Sequence, residues 1–400
     1  MRPLRYGVAT SSYQIEGAVD ADGRGASIWD TFCAQPGAIA DGSSGEGACA
    51  SYERLDEDLA LIEQLGVTAY RFSIAWPRVQ PTGTGEIEQR GLDYYERLVD
   101  GLLALGVEPV PTLYHWDLPQ ALEDAGGWPV RDTAYRFADY AAVVSAHLGD
   151  RVTRWATHNE PWCAAFLGYA SGVHAPGRRD PEAAYAAAHH LLLGHALGRT
   201  AMDGLQVGIV LNLSPVYAEP GADPDGVDMI DAVHNRIWLD PLGQGSYPAA
   251  LTSRSTALTE QGVVQPGDLA LVKDSLDWVG INYYSPFRIG PGSPEVTWEL
   301  GSPSHPYTPP VSFVGREPKT EMGWEIYAGG MTDVLRRATT DLPGIPLAVT
   351  ENGAAFADLE VDEHGVVSDD DRVAYLSAHL AAVEDARTAD IPVEDYFAWS

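Results

Sequence analysis

The 400-residue sequence has few basic residues and almost no lysine. Its 57 acidic residues outnumber the 25 lysines and arginines, which gives a formal net charge of −32. Lys273 and Lys319 are its only lysines. The electric field of a protein with this negative net charge repels nucleic acids and anionic membrane surfaces. We therefore expect neither a nucleic acid nor a membrane as a partner, and a strongly anionic substrate would need a locally built basic pocket.

The sequence also lacks long apolar runs and has few cysteines. No stretch reaches the roughly 18 apolar residues that a membrane span needs, and residues 1–10 contain no apolar segment of the secretory type. Cys33, Cys49 and Cys163 are an odd number at no metal-ligand spacing, which is typical of free thiols in a reducing compartment. We therefore expect a cytoplasmic protein.

Three motifs of catalytic and cofactor chemistry are missing. The sequence contains no glycine-rich phosphate turn and no GxSxG nucleophile elbow. His189, His190 and His195 do not have the HExxH spacing of a zinc site. We expect neither a metal nor a cofactor.

Short β-branched or aromatic runs alternate with longer helical patterns along the whole chain. This alternation predicts eight parallel strands. They are Arg5–Thr10, Ala69–Ile74, Val107–Leu113, Val152–Thr157, Gln206–Asn212, Leu276–Asn282, Ile345–Thr350 and Val393–Trp399. Seven helices are predicted between them, the sixth near Trp324–Thr339. The count is one helix short of a (β/α)8 TIM barrel, and it favours that α/β fold over a doubly wound sheet. No linker or repeat divides the chain, so we expect one catalytic domain over residues 1–400. Pro36–Ala50 and Pro286–Pro318 are predicted to be irregular rim loops.

Polar and aromatic residues follow the predicted strands directly. In a barrel these positions lie at the carboxyl ends of the strands, where active sites are found. One face would therefore collect two carboxylates, several amides, aromatic rings and one arginine. The residues concerned are Gln14, Arg71, His115, Trp116, Asp117, Asn159, Glu160, Asn282, Tyr283, Tyr284, Glu351, Asn352 and Trp399.

This set suits the cleavage of an acetal. One carboxyl group must protonate the leaving oxygen, and another must attack the anomeric carbon or activate water. Aromatic rings stack on the apolar faces of sugars, and amides and histidine bond the hydroxyls. Glu160 and Glu351 follow predicted strands four and seven, which we expect to face each other across the barrel mouth. Their spacing leaves both the retaining and the inverting geometry open.

Eight ordered motifs carry a resemblance that covers essentially the whole chain. They are Ala9–Gly17 (ATSSYQIEG), Ala69–Arg78 (AYRFSIAWPR), Leu113–Pro119 (LYHWDLP), Thr157–Trp162 (THNEPW), Gly280–Tyr284 (GINYY), Glu321–Trp324 (EMGW), Val349–Gly353 (VTENG) and Tyr396–Ser400 (YFAWS). Together they closely resemble the β-glucosidases of glycoside hydrolase family 1. The resemblance implies a retaining double displacement on β-linked glucosides, and on galactosides or fucosides in some members.

The resemblance also implies a role for individual residues. Glu160 matches the general acid/base and Glu351 the nucleophile, while Arg71 and Tyr284 match residues that hold the nucleophile. Retention predicts that the two carboxyl groups lie roughly 5–5.5 Å apart. The substrate-binding residues are expected to be Gln14, His115, Trp116, Asn159, Asn282, Tyr284, Trp324 and Trp399, with Trp399 beneath the glycone and Trp324 beside the aglycone.

The sequence departs from the family pattern at its end. Family members continue past the Trp-Ser pair with a segment that includes a glycone-binding glutamate and a final helix, whereas this sequence stops at Ser400. The expected barrel therefore lacks its last helix. Two alternatives stay open: a catalytically impaired or dead sugar-binding barrel, and a 6-phospho-β-glycosidase. The scarcity of lysine and the negative charge argue against the second.

Overall fold

A computed structural model describes residues 3–259, 262–292, 303–357, 361 and 365–399. Eleven strands are found in these ranges. They are β1 Arg5–Ala9, β2 Ala69–Ser73, β3 Glu108–Tyr114, β4 Arg154–Asn159, β5 Gln206–Asn212, β6 Val216–Ala218, β7 Trp278–Asn282, β8 Phe287–Gly290, β9 Ser312–Phe313, β10 Leu347–Asn352 and β11 Val393–Trp399.

Eight of the strands close into a parallel barrel. Their order around the barrel is β1, β2, β3, β4, β5, β7, β10 and β11, and β11 pairs in parallel with β1 from Arg5↔Asp395 to Ala9↔Trp399. All eight predicted strands are present, with ends that differ by two residues or fewer. The structure thus confirms the predicted (β/α)8 fold class.

Helices lie in the connections between successive barrel strands, and the following ones are found within the described residues. They are α1 Ser12–Ile15, α2 Ile28–Cys33, α3 Leu55–Leu65, α4 Trp76–Val79, α5 Gln89–Ala104, α6 Gln120–Asp124, α7 Asp132–Leu148, α8 Pro181–Ala201, α9 Pro224–Asp231, α10 Ile237–Gln244, α11 Ala249–Thr252, α12 Asp268–Lys273, α13 Gly329–Asp341 and α14 Asp370–Thr388. Two π-helical segments, Cys163–Ser171 and Ala232–Arg236, complete the set. Sequence signals explain the ends of several helices: the Asp180 side chain caps α8 by accepting from Ala183 N, and Pro181 occupies its first turn.

The hydrophobic core has two layers. The larger layer lies between the strands and the surrounding helices. The smaller one fills the barrel interior with alanines, valines and two large rings, Trp278 and Phe397. Gly208 leaves room for one of them, because a Cβ atom there would lie 2.6 Å from the Trp278 ring. This filled interior makes the barrel a solid support for side chains at its mouth.

A buried charge cluster lies inside the barrel toward the amino ends of the strands. Asp395 on β11 is 1% exposed and forms an ion pair with Arg154 of β4. Arg5 Nε of β1 lies 2.6 Å from Asp395 Oδ1. The Arg154 guanidinium also stacks 4.4 Å from the Trp278 ring centroid. The first, fourth and last strands of the barrel are therefore joined by charge as well as by the sheet.

Part of the predicted irregular segment Pro286–Pro318 is ordered. Within it β8 pairs with β6 in parallel and with β9 in antiparallel fashion, so the prediction of a wholly irregular loop was wrong here. Residues 293–302 of that segment lie outside the described residues. The predicted helix Trp324–Thr339 begins later, at Gly329, and Glu325 instead pairs with Lys319 in an isolated bridge.

Across the described ranges, no helix combines the length and the hydropathy that a membrane span would require.

Candidate active site

The carboxyl ends of the barrel strands bring the two predicted carboxylates into one buried network. Glu160 follows β4 directly, and its N–H donates to Val210 O of β5 at 2.9 Å. It has the left-handed backbone conformation, with φ 44°, which is unusual for a residue with a side chain and is found at functional sites. Only 6% of Glu160 and 3% of Glu351 is exposed.

Glu351 lies on β10 and is held by two donors. Arg71 Nη1 is 2.7 Å from its Oε1 atom, and the Tyr284 hydroxyl donates to Oε2 at 2.7 Å. Both partners were predicted to hold this carboxylate. The guanidinium and the hydroxyl donor together face both carboxylate oxygens of Glu351 and fix the position of the group.

Arg71 is itself fixed by four acceptors. Besides Glu351, it donates to Asn159 Oδ1 at 2.7 Å, to Thr112 Oγ1 at 3.2 Å and to Thr350 O at 3.2 Å. The guanidinium thus joins β2 to β3, β4 and β10 around the barrel mouth. This arrangement leaves Arg71 little freedom and gives Glu351 a fixed position.

Asn282 connects the two carboxylates. Its Nδ2 atom donates to Glu160 Oε1 at 2.8 Å and to Asn159 Oδ1 at 3.1 Å. The Thr350 hydroxyl donates to Asn282 Oδ1 at 2.7 Å, which fixes the orientation of the amide. The sequence analysis did not single out Thr350. Its position directly before Glu351 was the available signal, but threonine is common in strands for other reasons.

The environment of Glu160 favours its protonated form. Burial and, second, the charge of Glu351 raise the pKa of Glu160 from 4.5 to about 7, against the opposing hydrogen bonds from Asn282 and Cys163 and the charge of Arg71. Glu160 can therefore give up a proton near neutral pH, whereas the neighbouring Glu351 is paired with the Arg71 cation. This difference is typical of an acid and a nucleophile acting together.

His115 is neutral and has a defined tautomer. Burial and the charge of Arg71 hold its pKa well below the usual value. Asn159 Oδ1 accepts from Arg71 and Asn282, so Asn159 Nδ2 faces His115 Nε2 at 3.1 Å and donates to it. The proton of the imidazole is therefore on Nδ1, which has no partner among the described residues.

Aromatic rings surround this network. Trp399 lies parallel to His115 with ring centroids 5.6 Å apart and an interplanar angle of 9°. Trp116 Nε1 donates to Asn159 O at 2.9 Å. Trp324 is 38% exposed, and its ring centroid is 5.5 Å from that of Tyr284. These rings are half-buried or exposed, as expected of surfaces that a sugar covers.

Gln14 is placed differently from the other predicted site residues. It lies on the short helix α1, its side chain is exposed, and its amide oxygen accepts a hydrogen bond from the Ser11 hydroxyl. The structure shows no hydrogen bond between Gln14 and the network of Arg71, Asn159 and the two carboxylates within the described residues.

Cys163 is a contact that the sequence analysis missed. Its Sγ atom lies 3.2 Å from Glu160 Oε2, and the residue is 7% exposed. The sequence feature that indicates this contact is the position of Cys163 three residues, or about one helical turn, after Glu160. From the sequence, all three cysteines are predicted only to be free thiols of a reducing compartment.

In the described part of the chain, one group of side chains suitable for a metal site converges, formed by Asp93 and Glu96 of α5 and His147 of α7. It lies on the outer helices, and Arg151 already pairs with Glu96 at 3.1 Å. This partly exposed, cation-paired group is typical of a solvated helix surface.

A buried acid, a cation-paired carboxylate and sugar-sized aromatic surfaces at the mouth of a (β/α)8 barrel define a glycoside hydrolase. Comparisons with known proteins agree. The sequence profile of Glycosyl hydrolase family 1 matches residues 3–400. A β-glucosidase from Agrobacterium sp. is 44% identical over 405 residues, which cover 99% of this chain and 85% of that protein. A bifunctional β-D-glucosidase/β-D-fucosidase from Bifidobacterium breve is 43% identical, with 99% and 88% covered.

Solved structures give the same result. A psychrophilic β-glucosidase from Micrococcus antarcticus superposes with a TM-score of 0.93 at 42% identity, covering 99% of this chain and 88% of that chain. The Thermotoga maritima β-glucosidase in complex with deoxynojirimycin gives a TM-score of 0.90 at 41% identity, with 99% and 88% covered. The chain therefore belongs to glycosyl hydrolase family 1, and the family's hydrolysis retains the anomeric configuration. These findings do not support the alternative of a catalytically impaired barrel.

Proposed function

We propose that this enzyme hydrolyses terminal β-glucosides, with β-fucosides and β-galactosides as further substrates, and that Glu160 and Glu351 carry out the reaction. The β-glucosidase and β-fucosidase activities named for its relatives support this substrate class. The observation that carries the residue roles is the contrast between the buried, proton-holding Glu160 and the Arg71-paired Glu351.

In the first step Glu351 attacks the anomeric carbon as Glu160 donates its proton to the leaving oxygen. The glycosidic C–O bond breaks, and a glycosyl ester with Glu351 forms. The negative charge of Glu351, the second cause of the raised pKa of Glu160, is thereby lost. Glu160 can then stay ionised and accept a proton from the water that cleaves the ester. This two-step route requires carboxyl groups roughly 5–5.5 Å apart.

The remaining predicted residues bind the sugar in this proposal. His115, Asn159 and Gln14 bond glycone hydroxyls, and Asn282 holds Glu160 toward the leaving oxygen. Trp399 supports the glycone ring, while Arg71 and Tyr284 hold Glu351 in place. The last two rings shape the rest of the cleft: Trp116 lines the glycone side, and Trp324 forms a wall for the aglycone.

The test is the leaving-group dependence of the Glu160→Ala variant. Its kcat/KM for phenyl β-glucoside is expected to fall by about 10²–10⁴, the size of a general-acid contribution. Its kcat/KM for 2,4-dinitrophenyl β-glucoside, which needs no proton, is expected to fall far less. Glu86→Gln, an exposed position, is the matched control. Equal losses on both substrates would contradict the role of Glu160.

The same assay tests the substrate class. NMR of the first product formed by the wild-type enzyme is expected to show the β-anomer. Faster hydrolysis of a 6-phospho-β-glucoside than of the unphosphorylated glucoside would overturn the proposed specificity. Sugar binding without any turnover would overturn the enzymatic proposal itself.

We also propose the domain organisation, the location and the partners of the protein. Residues 1–400 form one catalytic domain, which a single calorimetric unfolding transition would support. The protein works in the cytoplasm, a proposal that rests on the free thiols of Cys33, Cys49 and Cys163. Its partners are small-molecule β-glycosides and include no nucleic acid or membrane, because its net charge is −32.

A further inference from the structure

The carboxyl group of Glu160 is held by two donors of very different strength. Oε1 accepts from Asn282 Nδ2 at 2.8 Å, and Oε2 faces Cys163 Sγ at 3.2 Å. An amide N–H is a good donor, whereas a thiol S–H is a weak one. The carboxyl group of Glu160 is therefore held firmly at Oε1 and weakly at Oε2.

The thiol of Cys163 keeps its proton. Burial and, second, the charge of Glu160 hold the pKa of Cys163 well above its usual value. Sγ itself lies 3.7 Å from Asn212 Nδ2, which can donate to it. The S–H group is therefore free to point at Glu160 Oε2. The local fold places it there, because Cys163 begins the π-helical segment and lies one turn after Glu160.

We propose that Cys163 is a positioning residue that orients the Glu160 carboxyl through a weak S–H···O hydrogen bond and so leaves that carboxyl able to keep its proton as general acid. The proposal rests on the proposed role of Glu160. A stronger donor in the same place would stabilise the ionised carboxylate and favour loss of the proton before catalysis.

The other groups that face Glu160 are common to the wild-type enzyme and its variants at position 163. The charged and titratable ones are Glu351, Arg71 and Tyr284, and Asn282 is the neutral donor. A change at Cys163 alone leaves all of these in place. Any displacement of the pH profile then reports the strength of the contact at Oε2.

The experiment compares Cys163→Ser and Cys163→Ala with the wild-type enzyme. The readout is the basic limb of the pH profile of kcat/KM for phenyl β-glucoside, because this limb reports the acid of the free enzyme. Serine is a stronger donor, and Cys163→Ser is expected to move the limb to lower pH by about half to one unit. At pH 8 the kcat/KM of this variant should then be about threefold to tenfold lower than that of the wild-type enzyme. Alanine, with no donor, is expected to leave the limb in place or move it to higher pH.

Cys49→Ser is the matched control, because Cys49 is an exposed free cysteine; its profile should match that of the wild-type enzyme. The proposal is supported if the basic limb of Cys163→Ser lies at lower pH than that of the wild-type enzyme, and the limb of Cys163→Ala lies at the same or higher pH. Any other order overturns the proposal. A role in packing alone would lower stability without displacing the limb in this order. Cys163→Thr takes the place of serine if that variant does not fold.

The outcome is separable from that of the proposed function. If Glu160→Ala loses activity on good and poor leaving groups equally, the role of Glu160 fails. If Glu160→Ala shows the expected leaving-group dependence but the position-163 variants keep the wild-type limb, only the role of Cys163 fails.

Discussion

Glu160→Gln is expected to make the folded protein more stable at alkaline pH. Gln keeps the shape of the side chain and can still accept from Asn282 Nδ2, but it cannot ionise. In the wild-type protein, burial and Glu351 raise the pKa of Glu160 from 4.5 to about 7. Ionising this carboxyl in the folded state at high pH therefore costs about 3 kcal/mol more than in the unfolded chain.

The sign of the pH dependence follows from linkage. Below pH 4.5 Glu160 is protonated in both states and contributes no penalty. Between pH 4.5 and about 7 the folded state binds more protons than the unfolded state, so wild-type stability falls as the pH rises. Above pH 7 the full penalty applies. The stability gained by Glu160→Gln should therefore increase by about 2–3 kcal/mol between pH 5 and pH 8.5.

Urea unfolding of the wild-type protein and the variant at a series of pH values measures this gain, with tryptophan fluorescence as the signal. The difference between the two proteins cancels the contributions of titrating groups that do not interact with Glu160. Glu86→Gln, on an exposed loop, serves as the control and should change the free energy of unfolding by less than about 0.5 kcal/mol. A stability gain that is the same at pH 5 and pH 8.5 would refute the reasoning.

Three further outcomes are expected. Glu351→Gly should abolish turnover, and added azide or formate should restore part of it with an α-configured product in the NMR spectrum; a β-configured product would contradict the nucleophile assignment. Arg71→Met should lower the free energy of unfolding by about 3–5 kcal/mol in urea, because it leaves Glu351 buried without its cation; the double variant Arg71→Met/Glu351→Gln should lose less than the sum of the single losses. Trp324→Ala should raise KM for aryl β-glucosides and leave kcat/KM for β-glucosyl fluoride within about twofold, and equal effects on both would argue against an aglycone wall.

The barrel strands could be predicted because each one is a short apolar run that ends at polar residues. Strands β5 and β11 were predicted to the residue, Gln206–Asn212 and Val393–Trp399. Their parallel arrangement then brings the strand ends to one face, which places Glu160 and Glu351 together even though 190 residues separate them. Local pattern and topology were sufficient for this part of the site.

The contacts made by short loops could not be predicted in the same way. The π-helical segment that starts at Cys163 has no periodic signal of its own, since its extra residue per turn depends on packing. The pairing of β8 with β6 joins segments about 70 residues apart, and each strand has four residues or fewer. The orientation of Asn282 by Thr350 depends on a hydrogen bond between strands that the sequence does not encode locally.

Asp395 beneath the active site has a consequence for assembly. A slip of β11 by two residues against β1 would keep the same side chains facing inward and would preserve the apolar pattern. It would, however, move Asp395 about 7 Å along the strand and leave the Arg154 guanidinium inside the barrel without its counter-ion. Such an orphaned charge costs several kcal/mol. The ion pair between Arg154 and Asp395 therefore disfavours a misaligned closure of the barrel that hydrophobic burial alone would allow.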